Sequence, residues 1–260
     1  MLDLDFLRFV HINLNASGPA VDARAVAEKM AKIFPSCKIN IRPALKYDDE
    51  MVEQARIVDF KQPFEKQPKQ QQQQDSMMLP LYDGFIMQRL FAEMIPAAEI
   101  SLAHIHIIFT GLLPCTFSDD DWRYHGRAVI CGTPSIISTT GIVEAIAKPR
   151  EFYLHRIGSV TTATSTADDH LGSLKKRLAG RFINYNDVDR ITGASINYAL
   201  QTIFFFITGG EPFCNNIDCM LYNAHWQEEL IETIEKGVLC SHHTSLANKF
   251  IKMSTTTQTF

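Results

Sequence analysis

The sequence predicts an α/β fold, a mixed sheet packed against helices with one helix buried at its centre. Three observations lead there. The first sixty residues alternate between strand-like and helix-like patterns, and the region from 104 to 140 carries short, strongly apolar segments. Residues 187 to 207 carry a helical pattern whose last turn is apolar on every side.

Taken in order, residues 6 to 14 place Phe6, Val10, Ile12 and Leu14 at even positions, the period of a strand with one buried face. Asp22 can cap a helix whose apolar positions are Val26, Met30, Ile33 and Phe34, and Pro35 stops it. Residues 37 to 42 return to alternation, and the acidic trio Asp48, Asp49 and Glu50 suits the positive N-terminus of a helix over 48 to 59. Residues 61 to 76, with Pro63, Pro68 and the run Gln70 to Gln74, offer little to bury and read as a flexible insertion. Tyr82 to Met94 has helical spacing. Ile105 to Thr110 and Ala128 to Cys131 are strands on either side of an acidic loop, and Ser135 to Ser138 is an extended piece leading to a turn at Thr139, Thr140 and Gly141.

Residues 167 to 183 read as an amphipathic helix with the basic face Lys175, Lys176 and Arg177. In the long helix over 187 to 207 the final turn, Ile203 to Ile207, must end deep in the core, and Gly209 and Gly210 terminate it. A further helix from His225 to Lys236, capped by Asn223, precedes Cys240, and Trp226 is expected beneath the cysteines. Residues 1 to 253 read as a single domain interrupted by the glutamine-rich insertion, with 254 to 260 as a frayed tail.

Composition narrows the function. The chain has 260 residues, 46% of them apolar and 21% charged, and a net charge of −4, which does not indicate a basic nucleic-acid surface. No run reaches the roughly 18 uninterrupted apolar residues of a membrane span, and the N-terminus lacks the positive stretch of a signal peptide. The expectation is a cytoplasmic protein whose partner is another protein or a small molecule, not nucleic acid or membrane. Six cysteines in a reducing compartment read as ligands, nucleophiles or small buried side chains.

Their spacing favours ligands. Cys214 and Cys219 have four residues between them, and Cys240 and His243 follow after an insert of helix length, the way a chain brings four corners to tetrahedral zinc. Such a Cys₃His site is closed and contributes to folding, not chemistry. His242 is a rival fourth ligand.

The order of central helix, glycine, Cys-x₄-Cys-Met, long insert and Cys-x₂-His resembles the archaemetzincin family of zinc peptidases over roughly residues 203 to 243. Gly210, Cys214, Cys219 and Cys240 fall at the family's glycine and first three structural cysteines, and His243 replaces the fourth. Met220 lies one residue early and the insert is longer than in the family. The resemblance implies a metzincin-like mixed sheet with a C-terminal zinc knuckle holding one structural ion, as in archaeal proteins near this family. It also places the catalytic zinc histidines at Ile203, Ile207 and Phe213 and the general-base glutamate at Phe204, none of which can bind a metal or move a proton. What it implies is a pseudoenzyme, a binding or regulatory module on a peptidase scaffold. The alternative is a hydrolase with a displaced site around residues 104 to 131.

That region holds the other candidates. His104 and His106, two apart on a strand, face one side and can grip a metal or serve as hydrogen-bonded core residues. Cys115 with His125 has the makings of a nucleophile and base, and Asp119, Asp120 and Asp121 those of a cation site. A solvated acidic turn paired with Arg123 and Arg127 explains the same residues. The hydroxyl-rich run Gly132 to Gly141 lacks phosphate-loop spacing. Lys148, Arg150, His155 and Arg156 form a modest basic cluster.

Overall fold

The computed structural model describes residues 7–14, 18, 20–58, 79–153, 178 and 180–256. The glutamine-rich insertion, His155, Arg156 and residues 167–177 and 179 of the expected amphipathic helix lie outside them.

The mixed sheet is present. Strands β1 (Phe9–Leu14), β2 (Lys38–Arg42), β4 (His104–Thr110) and β8 (Ser135–Ser138) run parallel, and β7 (Val129–Ile130) closes one edge antiparallel, in the order β2-β1-β4-β8-β7. A smaller sheet joins β3 (Leu81–Asp83), β5 (Leu113–Ser118) and β6 (Arg123–Gly126). Both faces of the main sheet are covered. Val10, Ile12, Ile105, Ile107, Phe109 and Ile137 point to one face, where α1 (Ala23–Ile33) and the long α5 (Val188–Thr208) pack. Ile108 and Ile136 point to the other, under α2 (Asp49–Glu53) and α3 (Gly84–Ala92).

Local chemistry starts these helices as expected. Asp22 Oδ1 accepts the amides of Arg24 and Ala25 at 2.9 and 3.0 Å, and Asp48 Oδ1 accepts that of Met51 at 2.7 Å. Helix α2 is shorter than its acidic start suggested, ending at Glu53. Helix α5 ends at Gly209, whose φ of +78° is the left-handed cap that glycine takes without strain. By length and composition α5 could cross a membrane, but 67% of its apolar window is buried inside the chain, as befits a core helix.

Four expectations need correction. The acidic loop is the tip of a hairpin, β5–β6, which polar residues on the outward face hid. Thr139–Glu144 forms a helix, α4, not a turn: the Ser138 hydroxyl caps it by accepting the Gly141 amide at 2.8 Å. Helix α6 (Gln227–Lys236) starts two residues later than expected, and Glu229 Oε2, not Asn223, accepts the amides of His225 and Trp226 at 2.9 and 3.1 Å. The last helix, α7 (Ser241–Thr256), runs past the expected fraying point, and Ser254 is buried with its hydroxyl donating to the Phe250 carbonyl at 2.8 Å.

Candidate metal centre and the sheet-face histidines

After Gly209 the chain turns back on itself so that Cys214 donates its amide to the Leu221 carbonyl at 2.9 Å, and Cys219 sits at the turn between them. Cys240 immediately precedes α7 and His243 lies in its first turn. The fold thus brings together Cys214, Cys219, Cys240 and His243, with their donor atoms all within 4.8 Å of one another. The separations are 3.9 Å for Cys214 Sγ to Cys240 Sγ, 3.8 Å for Cys219 Sγ to His243 Nδ1 and 3.1 Å for Cys240 Sγ to His243 Nδ1. Tetrahedral zinc with bonds of about 2.3 Å to sulfur sets sulfurs about 3.8 Å apart, so the four donors already stand near the corners such an ion needs. His242 is exposed, while His243 is buried and turns Nδ1 to the cluster.

The surroundings favour thiolate at the helix start. Burial raises the Cys240 thiol, but amide hydrogen bonds from His243 and His242 and the neighbouring thiols outweigh it and bring it below the ordinary thiol value. Cys219 is pushed up to about 12 by burial, so it releases its proton only to a metal. Burial also keeps His243 neutral, leaving a lone pair for coordination. The Asn216 amide points at Cys214 Sγ (3.3 Å) and the Cys240 amide at Cys219 Sγ (3.4 Å), contacts that stabilise thiolate charge.

Beside this centre lie the positions where the resemblance places catalytic residues. Ile203 and Phe204 are 0% exposed in the main core, and Ile207 is half-buried against it. Phe204 stands edge-on to Phe34, the residue that follows α1, and to His243, with ring centroids 5.7 and 5.1 Å away. Phe213 is exposed. These four side chains offer no metal donor, and a catalytic zinc does not fit them.

The other candidates separate. Cys115 pairs with Gly126 and Thr116 with His125, so Cys115 and His125 point to opposite sides of the small sheet and cannot act together. Cys115 is buried and its thiol is raised to about 11 by desolvation, as is that of Cys37, while Cys131 rises to about 12. All three are inert neutral thiols. Asp121 pairs with Arg123 and, at 2.9 Å, with His125, the solvated turn. Arg127 instead reaches the Thr116 hydroxyl at 2.8 Å. In the hydroxyl-rich run, Ser138 and Thr140 each donate to a backbone carbonyl at 2.6 Å, which leaves them no role in binding an anion. Lys148 pairs with Glu144, and Arg150 lies over Trp226, 5.7 Å from the ring centroid. Trp226 itself sits beside Ala147.

His104 and His106 do share a face, and there they meet two residues that strand patterning did not single out. His11 of β1 is in register with His106. Glu99 follows on the turn before β4. His11 Nε2 lies 2.9 Å from His104 Nδ1, and His106 Nε2 lies 3.2 Å from Glu99 Oε2. Arg42 of β2 clamps Glu99 with two hydrogen bonds of 2.7 and 2.8 Å, which hold its carboxyl below the usual range. Burial brings His11 and His106 each down to about 4, so both are neutral. His11 occupies an odd position of a strand read by its even ones, and its pairing with β4 spans 93 residues, beyond the reach of spacing.

No curated protein matches the chain. Among solved structures, the crystal structure of archaemetzincin from Methanopyrus kandleri is similar over 95% of this chain and 97% of that one, at 9% identity and a TM-score of 0.42. A family model described as "Probable metallopeptidase family (DUF6775)" matches residues 7–250, and the chain belongs to that family.

Proposed function

We propose that this protein is a zinc-stabilised member of its metallopeptidase family that has given up peptidase chemistry and acts as a binding or regulatory module. The observation that carries this reading is Phe204: where the resemblance puts a general-base glutamate, a ring fully withdrawn from water packs between Phe34 and the metal-cluster residue His243. Peptide hydrolysis on zinc needs a carboxylate over the metal-bound water and three ligands leaving one position open, and Ile203, Ile207 and Phe213 supply no ligand. Cys214, Cys219, Cys240 and His243 form instead a closed set for one structural zinc, which ties the loop after α5 to the start of α7. The partner is a protein or small molecule, and the setting is the cytoplasm.

Elemental analysis and a peptidase assay on the purified protein test this. The expected result is a thiolate-bound zinc, lost together with cooperative unfolding in Cys214→Ser, and no peptide cleavage above buffer. Structural zinc sites contribute on the order of 10 kcal/mol, more than most domains can lose. Cleavage that a chelator abolishes, or a folded Cys214→Ser with unchanged zinc, would overturn it.

A further inference from the structure

We infer that His11, His106 and Glu99 form a second metal site, on the sheet face away from α5, able to hold a divalent first-row cation such as zinc. The donor atoms of the three residues all lie within 4.8 Å of one another. His11 Nε2 is 3.9 Å and His106 Nε2 3.2 Å from the same oxygen, Glu99 Oε2. An ion with bonds of about 2.0–2.2 Å needs its ligands roughly 3.3 Å apart, so His106 and Glu99 already stand at that spacing, while His11 must close on them and give up its 2.9 Å contact with His104 Nδ1.

An independent observation points to a ligand. Both histidines are 2% exposed, and His106 Nε2 makes no hydrogen bond, because the nearby carboxylate oxygen lies off the line a ring N–H takes. A buried imidazole nitrogen without a bond costs about 1–3 kcal/mol, a cost an ion would remove. Glu99 Oε2 has the capacity to serve both neighbours, since a carboxylate oxygen carries two acceptor sites and Arg42 uses one. Around His11 the outer contacts are in place: its Nδ1 lies 3.4 Å from the Asn40 amide, the kind of partner that orients a ligating ring.

Two histidines and one carboxylate are three protein ligands, and the fourth position is open. That distinguishes this centre from the closed knuckle and matches the pattern catalytic and exchangeable ions take. Arg42 sets its strength. A guanidinium beside the carboxylate repels the incoming cation, so this site binds more weakly than the Cys₃His centre. The same positive charge favours a small anion as the ion's fourth ligand.

The test is equilibrium dialysis of the intact protein, isolated with its knuckle loaded, against rising free Zn²⁺, with a parallel Co²⁺ titration of protein isolated with Co²⁺ in the knuckle. The expected result is a second, weaker ion per chain in the wild type. In Co²⁺ this ion adds no thiolate-to-metal charge-transfer band, because its ligands are imidazole and carboxylate. His106→Gln and Glu99→Gln should each weaken it by more than ~100-fold, beyond what loss of an outer partner costs, while the thiolate band stays. Glu99→Gln, at a half-buried turn, serves where His106→Gln disturbs folding. A wild type that saturates at the knuckle ion, or folded variants that still take two ions, would overturn the site. Absence of the thiolate band would instead strike the knuckle reading and leave this one standing.

Discussion

Phe204 is the residue on which the proposed loss of peptidase chemistry turns, and its packing has a measurable energy. It touches Phe34 and His243 edge-on and has no exposed surface. Replacing it by alanine leaves a cavity at the junction of α1, α5 and the metal cluster, with an expected loss of about 3–5 kcal/mol in urea unfolding. If Phe204→Ala is neutral, the ring is not core. The knuckle residues were legible in sequence because cysteine and histidine at short spacings have few other reasons to recur, and their ligand geometry is local. His11 and Glu99 were not, since nothing in the composition of a strand or a three-residue turn announces that its side chains converge on a distant strand.

Elements followed the same logic. Where hydrophobic periodicity ran for ten residues or more, as in α1 and α5, the helix appeared with its cap and stop in place. Helix α4 escaped notice because six residues are too few to show a period, and Thr139, Thr140 and Gly141 look like a turn. Its position depends on a missing side chain: a Cβ on Gly141 would stand 2.3 Å from the Arg127 carbonyl oxygen, a backbone atom that cannot step aside. Gly141→Ala should therefore push α4 away from the Arg127–Ala128 backbone and cost about 1–3 kcal/mol, read as a lowered thermal midpoint.

For the molecule as a whole, the Cys₃His cluster and the proposed His11–Glu99–His106 site involve different parts of the chain. Cys214 to His243 governs α5 and α7, so stripping the knuckle ion should raise amide hydrogen exchange first in the 214–256 segment and leave β1 and β4 protected for longer. Uniform loss of protection would show instead that the ion holds the entire fold. The parallel pairing of β1 with β4 has another consequence. It joins residues 95 positions apart, whereas the knuckle donors all fall within the stretch from Cys214 to His243. Closing a long loop costs more entropy than closing a short one, so during refolding the knuckle can capture its ion while the strands are still searching. A bound ion would then act on the order of events as well as on the final structure, giving the stretch from Cys214 to His243 a fixed shape against which the slower sheet assembles.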